Sequence, residues 1–190
     1  MSSIYLVRHG EYANPKNIIP ARLPVELNDA GREQLAKVRG YLRDKNIAKI
    51  FSSPVWRCEQ SAEILSDGSL EIEYDLRLAE TLTVAQGDDF KGQWIKPFYE
   101  QVDKLGGESM LDVQNRMIDF WKSLDFASDK NYVVCTHGDP LQLLHYYMVG
   151  NKQLLTEETE NDKNYQPKGS VHPVVVRSAT DFDIEDFFLP

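Results

Sequence analysis

Two histidines in this sequence have matching surroundings, because each follows an apolar run and precedes a glycine. His9 comes after residues 4–7 and Arg8, and His137 comes after residues 132–136. Arg57 lies shortly after a third apolar segment. An imidazole can act as a nucleophile, and guanidinium groups bind phosphate oxygens through paired N–H donors. These residue types therefore indicate phosphoryl transfer on an anionic substrate.

His9 is the predicted nucleophile of that reaction. A neutral imidazole is nucleophilic near pH 7 when a hydrogen bond to its other ring nitrogen fixes the tautomer, and Gly10 allows the backbone to supply the acceptor. Arg8 and Arg57 are the predicted ligands of the phosphate oxygens. The helix that begins after His137 directs the positive end of its dipole to the same place. The reaction also requires an acid that protonates the departing oxygen.

Strand and helix patterns alternate along the chain and would position these groups. The predicted elements, in chain order, are a strand over 4–7, a helix over 29–45, a strand over 49–53, a helix starting at Ser53-Pro54, an edge strand over 71–74, a helix over 108–124, a strand over 132–136, a helix over 141–149 and a last strand over 171–177. This alternation predicts an α/β fold, a three-layer sandwich with a mostly parallel central sheet and helices on both faces. His9, Arg57 and His137 would then share the edge of the sheet where open α/β sheets bind ligands.

Length and composition exclude several classes of function. The 190 residues suit a single domain over 1–190, and a formal net charge of −9 argues against a nucleic-acid partner, which needs clustered basic residues. No apolar run approaches the roughly 18 residues that span a bilayer, and no secretory pattern is present, so we expect a cytoplasmic protein without a membrane partner. The spacing of Cys58 and Cys135 favours two reduced thiols.

Two segments lack a regular pattern. Residues 79–107 mix glycines with aromatic residues and predict a substrate-side loop with a short helix, in which Phe90, Trp94 and Tyr99 are equally compatible with a pocket wall and a core edge. Residues 151–168 are polar and acid-rich and predict a mobile surface loop. Substrate specificity is expected to depend on the first segment, and the second is a further candidate for that role.

Six short blocks of the sequence resemble, in order, the recurring blocks of the histidine phosphatase superfamily, which includes the cofactor-dependent phosphoglycerate mutases. The blocks are residues 6–11 (LVRHGE), 27–31 (LNDAG), 52–62 (SSPVWRCEQSA), 78–80 (LAE), 107–109 (GES) and 136–138 (THG). Six blocks in the right order are far more specific than one Arg-His-Gly. The resemblance covers most of the chain, and the acidic tract is the part it covers least.

The resemblance implies a role for each matching residue. His9 would accept the phosphoryl group, Glu80 would act as general acid and base, and the charge on the phosphoryl group would be stabilised by Arg8, Arg57 and His137. Further substrate contacts are expected from Gly138, Asn14 and Arg22, of which the last two match the family spacing less closely. The family needs no metal for this chemistry, so neither a metal nor a cofactor is expected. The implied substrate is a small phosphorylated molecule.

Departures from the family pattern bear on the choice of function. Many relatives have an arginine near the position of Gln142, and the chain is short for the substrate-enclosing insertions of phosphoglycerate mutases. The first departure predicts different substrate contacts at that position, and the second favours a phosphatase that transfers the phosphoryl group to water. A phosphoglycerate mutase-type transferase and a catalytically silent phosphate-binding relative are the alternatives. Asp139 is the second candidate for the proton donor, although a helix cap is its favoured role. The sequence leaves the substrate and the oligomeric state open.

Overall fold

The computed structural model describes residues 2–89, 99, 102, 106–152, 154–156 and 158–190. Its helices and strands, in chain order, are β1 (Ser2–Arg8), α1 (Asp29–Leu42), β2 (Ile47–Ser52), α2 (Trp56–Ser66), β3 (Ile72–Tyr74), α3 (Met110–Ser123), β4 (Asn131–Thr136), α4 (Gly138–Met148), β5 (Val171–Ser178) and β6 (Asp181–Ile184), with short 3₁₀ helices at Leu76–Leu78 and Thr159–Asn161. The short helix predicted within 79–107, together with Phe90 and Trp94, lies outside the described residues.

The strands form one six-stranded sheet in the order β3-β2-β4-β1-β5-β6. Strands β1 to β4 are parallel, whereas β5 runs antiparallel to β1 and β6 runs antiparallel to β5. The predicted α/β sandwich with a mostly parallel sheet is confirmed. The prediction that the strand over 171–177 is the last one is wrong, because β6 comes after it and pairs with its outer edge.

The two faces of the sheet have separate apolar cores, since successive side chains of a strand point to opposite sides. Ile4 and Leu6 of β1 belong to the core that includes Met117 and Trp121 of α3. The alternate residues of β1 and their core partners from the first two helices lie on the other face; they are Tyr5, Val7, Leu35, Val38, Ala62 and Leu65. The helices on both faces hold the buried strands in register and so fix the position of the first residue after each strand.

The carboxyl ends of β1, β4 and β2 lie side by side and carry His9, His137 and Ser53. Two predicted helix starts near this edge are wrong. Helix α2 begins at Trp56 rather than at Ser53-Pro54, and α4 begins at Gly138 with His137 as its N-cap. Because the chain leaves β4 directly into α4, His137 is held at the junction of a strand and a helix.

Cys58 and Cys135 are buried free thiols, as their spacing predicted. Within the described part of the chain, no helix combines the length and the apolar character needed to cross a membrane.

Candidate active site

His9 is buried at the end of β1, with both ring nitrogens engaged. Its Nδ1 lies 2.8 Å from the Gly10 carbonyl oxygen. A carbonyl can accept but not donate, so the proton resides on Nδ1, and Nε2 accepts a 3.1 Å hydrogen bond from Arg57 Nε. Burial, reinforced by the charges of Arg57 and Arg8, holds the pKa of His9 well below its usual range. The lone pair of Nε2 is therefore free of a proton near neutral pH.

The turn after His9 depends on two glycines that touch. A Cβ on Gly10 would lie 2.6 Å from the carbonyl oxygen of Gly31, and a Cβ on Gly31 would overlap the backbone of Glu11. Gly31 is held there because Asn28 caps α1 by accepting a 2.8 Å hydrogen bond from the Gly31 backbone N–H. The start of α1 thus presses against the loop that orients the nucleophile.

Arg57 lies in the first turn of α2 and is almost completely buried, with 1% exposure. Its Nη1 donates to the Ala21 carbonyl at 2.9 Å, and its Nη2 lies 3.3 Å from Glu80 Oε2. Together with the bond to His9, these contacts engage each nitrogen of the guanidinium group but only three of its five N–H donors. Such a fixed cation next to the nucleophile is suited to stabilising the equatorial oxygens of a phosphoryl group.

His137 faces His9 across the site, with ring centroids 5.1 Å apart. The Ser53 hydroxyl is hydrogen-bonded to His137 Nε2 at 2.8 Å, and Glu80 Oε2 lies 3.5 Å from Nδ1. Burial and the nearby charge of Arg57 lower the pKa of His137 well below its usual range. Side chains that follow β1, β2 and the 3₁₀ helix at Leu76–Leu78 therefore surround His137.

Arg8 is held by the segment that precedes β5. Its Nη1 donates to the Gln166 carbonyl at 2.8 Å, and its guanidinium stacks on the ring of Tyr165 at 4.9 Å. The Gln166 side chain donates in turn to the carbonyls of Leu6 and Ser170. Gly138 is required here, since a Cβ would lie 2.8 Å from Arg8 Cζ and still closer to the Tyr165 hydroxyl.

Glu80 follows the 3₁₀ helix at Leu76–Leu78 and is supported from behind by Arg22. Arg22 Nε donates to the Glu80 carbonyl at 2.6 Å, and its Nη2 pairs with Glu108 Oε2 at 2.7 Å. Glu108 also receives bonds from Arg116 and from the Leu82 backbone. Arg22 is not among the described residues that line the cavity, so its observed contacts are structural, and its direct contact with substrate stays a prediction.

Asp139 is not the helix cap that the sequence favoured, because it lies inside the first turn of α4. Its carboxylate accepts 3.0 Å hydrogen bonds from the hydroxyls of Tyr99 and Tyr165. Burial and the neighbouring charge of Glu80 raise the pKa of Asp139 to about 7. Asp139 is therefore a second carboxyl group at the cavity, and its side chain can carry a proton near neutral pH.

A cavity of about 720 Å³ lies at this edge of the sheet, and His137 and Gly138 are not among its lining residues. Its described lining consists of Arg8, His9, Glu11, Tyr12, Asn14, Asn17, Ile18, Ile19, Pro20, Ala21, Arg57, Glu80, Asp139, Tyr165, Pro167 and Lys168. Asn14 lines it as predicted, but its side-chain amide both donates to and accepts from the Ile18 backbone. It therefore shapes the wall of the cavity by closing a turn.

A family model named histidine phosphatase superfamily, branch 1, matches residues 4–164, which is most of the sequence. The chain belongs to the histidine phosphatase superfamily. The superfamily includes both phosphatases and mutases. A phosphoglycerate mutase-like protein 4 of Arabidopsis thaliana is 29% identical over 160 residues, covering 76% of this chain and 70% of the relative.

Solved structures of this superfamily share the fold. YhfR of Bacillus stearothermophilus superposes with a TM-score of 0.80 at 23% identity, over 97% of this chain and 95% of that protein. A mycobacterial glucosyl-3-phosphoglycerate phosphatase superposes with a TM-score of 0.74 at 21% identity, over 96% of each chain. At identities of 23% and 21%, these superpositions establish a shared fold and no shared activity. The chemistry of this chain therefore follows from its own residues.

Several residues of this histidine phosphatase site could not be found from the sequence alone. Tyr12, Ser53, Tyr165, Gln166 and Lys168 all contact site residues or line the cavity. Three of them precede β5, whose antiparallel direction brings its first residue to the same edge as the ends of β1 and β4. The change from an acidic tract to Gln-Pro-Lys-Gly just before an apolar strand was the available signal, but strand direction was needed to interpret it.

Proposed function

We propose that the chain is a metal-independent phosphomonoesterase that acts through a phosphohistidine on His9. The observation that carries the proposal is the fixed tautomer of His9. Nδ1 donates to the Gly10 carbonyl, so Nε2 carries no proton and its lone pair accepts from Arg57 Nε at the cavity that both residues line. A nucleophile held between phosphate-binding cations is the arrangement that covalent phosphoryl transfer requires.

The proposed reaction has two steps. The Nε2 lone pair forms an N–P bond while the P–O bond to the leaving group breaks, and the leaving oxygen takes a proton from a carboxyl group of the pocket. Water then attacks phosphorus and returns a proton to that carboxylate, while the electron pair of the N–P bond goes back to Nε2. Arg8, Arg57 and His137 stabilise the phosphoryl charge in both steps.

Glu80 is the proposed proton carrier, because it lines the cavity next to Arg57 and His137. Asp139 is the second candidate, supported by a pKa near 7 and by its place in the same cavity. Glu80→Gln and Asp139→Asn distinguish them when alkyl and activated aryl esters are compared. Loss of the acid should slow hydrolysis of the alkyl ester far more than hydrolysis of the aryl ester, since an activated aryl leaving group departs without taking a proton.

A trapping experiment tests the proposal. In chelator, a radiolabelled ester should label the protein with phosphate that is acid-labile and alkali-stable, and His9→Ala should abolish both the label and turnover. The matched variant His145→Gln, in the second half of α4 and outside the cavity lining, should retain both. Steady turnover by His9→Ala would refute the phosphohistidine route.

The alternatives lead to different products. A mutase-type transferase, in line with the name of the Arabidopsis relative, would pass the phosphoryl group from one phosphoglycerate hydroxyl to another and release little free phosphate. A catalytically silent relative would bind phosphate without any label on His9. Free phosphate released in step with alcohol supports the phosphatase.

A further inference from the structure

The cavity in front of His9 extends well beyond the space that a phosphoryl group needs. Its volume of about 720 Å³ is in the range of pockets that enclose small organic ligands. Among the described residues, three cationic side chains line it: Arg8, Arg57 and Lys168. Arg8 and Arg57 lie at the nucleophile, where a phosphate dianion would engage both. Lys168 is thus the described cation left for the rest of the substrate.

Lys168 is already paired. Its Nζ lies 2.9 Å from Glu11 Oε2 and 4.8 Å from the centre of the Tyr12 ring. Glu11 follows the turn after β1, and Lys168 lies just before β5, so the pair joins the two sides of the cavity entrance. A substrate carboxylate that binds Lys168 would have to share its ammonium group with Glu11 or displace Glu11, and in either case it would lie beside that second carboxylate.

The inner wall of the same cavity carries two carboxyl groups, Glu80 and Asp139. One of them must carry the proton that the leaving oxygen takes, which leaves the other as the negative charge that a negative group on the leaving alcohol would meet. Like charges placed together in a partly buried site cost several kcal/mol. Apart from His9, the other described residues that line the cavity are uncharged; they are Tyr12, Asn14, Asn17, Ile18, Ile19, Pro20, Ala21, Tyr165 and Pro167.

We infer that the substrate is the phosphate monoester of an uncharged alcohol, such as a polyol, a sugar or a nucleoside, and that leaving groups bearing a carboxylate are disfavoured. The inference rests on the proposed function, because it concerns the leaving group of that reaction. It also disfavours phosphoglycerate as a substrate and so bears on the mutase alternative.

A matched pair of esters tests the inference. Glycerol 3-phosphate and 3-phosphoglycerate differ in that a hydroxymethyl group replaces a carboxylate. The native enzyme should show a kcat/KM at least about 10-fold higher for glycerol 3-phosphate. If either ester turns over too slowly, its inhibition constant against a chromogenic aryl phosphate gives the same comparison.

A charge variant sharpens the test. Glu11→Gln keeps the shape of the side chain but releases Lys168, so the preference for glycerol 3-phosphate should fall by about 5-fold. Glu33→Gln removes the same charge from an exposed position on α1 and should leave the preference unchanged. Glu11→Gln/Lys168→Met removes the released cation and should restore the preference of the native enzyme.

Three results would overturn the inference. One is a preference of the native enzyme for 3-phosphoglycerate. If Lys91→Met or Lys96→Met abolishes that preference, the substrate carboxylate is bound by the segment 90–98, which lies outside the described residues. Another is a preference that Glu11→Gln does not alter. The third is the absence of both turnover and a labelled His9 with every ester, which would refute the proposed function itself, whereas the first two leave that function standing.

Discussion

The two ends of the cavity share the loop after β1 but are held in different ways. At the inner end, His9, Arg57 and His137 are 2%, 1% and 0% exposed. Backbone carbonyls of Gly10 and Ala21 fix the first two. At the entrance, Glu11 and Lys168 keep 39% and 27% of their side chains exposed and hold each other.

This difference separates chemistry from specificity. A buried polar group with fixed partners cannot be altered without leaving another group unpaired, so the inner end tolerates little change. An exposed ion pair contributes at most about 1 kcal/mol and can be exchanged at small cost. We therefore expect substitutions at the inner end to reduce activity toward every ester, and substitutions at the entrance to change the relative rates of different esters.

The largest effect is expected for Arg57. Arg57→Gln should lower kcat/KM about 10²- to 10³-fold for all esters, because the group that stabilises the phosphoryl charge is lost. Since the charge of Arg57 also lowers the pKa of His9, that pKa should rise and move the acid limb of the pH–rate profile to higher pH. Arg57→Lys keeps the charge without the fork, so it should lose activity while the acid limb stays in place. An unchanged limb in Arg57→Gln would contradict the proposed electrostatic role.

A smaller effect should result from filling the space next to Arg8. In Gly138→Ala the added Cβ meets Arg8 Cζ and the Tyr165 hydroxyl, so the guanidinium must shift by a fraction of an ångström or more. We expect kcat to fall by about 10- to 100-fold for an aryl phosphate. Gly40→Ala in α1, where nothing lies within 4 Å, should leave kcat unaltered. Equal kcat values for both variants would show that Arg8 has freedom to move.

Asp139 should show a cost in stability that depends on pH. Its folded-state pKa of about 7 lies above that of an unfolded aspartate, so the folded protein holds the proton more tightly and loses stability as the pH rises through 7. Asp139→Asn has no titrating carboxyl group at this position, so the variant does not lose this stability. The free energy of unfolding of the variant minus that of the native protein should therefore increase by about 2 kcal/mol between pH 5 and pH 8.

Urea unfolding at several pH values measures the effect of Asp139→Asn. Asp44→Asn, an exposed position after α1, serves as the control and should show a constant difference from the native protein. A constant difference for Asp139→Asn as well would mean that Asp139 titrates like an exposed carboxyl group.

The smallest effect is expected at the entrance. Lys168→Met should lower kcat/KM for an aryl phosphate by less than about 3-fold, because the exposed ammonium is screened and already paired. Lys168 contributes to lowering the pKa of His9 after burial, Arg57 and Arg8, so the acid limb should move slightly to higher pH. Lys163→Met, exposed on the same segment, should move neither quantity. A loss as large as that of Arg57→Gln would contradict the separation of the two ends.

Much of the inner end could be predicted from the sequence, since its residues follow buried strands directly. The end of an apolar run fixes where His9 and His137 lie, and a parallel sheet brings such ends to one edge. Arg57 was predictable from a related feature, because it lies in the first turn of the helix after β2. Asp139 was misjudged because an aspartate directly before Pro140 suggested a cap, whereas the helix had already begun at Gly138.

The sequence by itself determined the α/β class, the strand ends that carry His9, Arg8 and His137, and the resemblance that pointed to phosphate chemistry. Tertiary structure decided the environment of Asp139, the supporting role of Arg22 and the pairing of Lys168 with Glu11. The physical reason is distance along the chain. Strand ends are local features of a pattern, but Tyr165 and Lys168 reach the site only because β5 runs antiparallel beside β1. The direction of a strand is settled by packing across the whole sheet and leaves no periodicity of its own in the sequence.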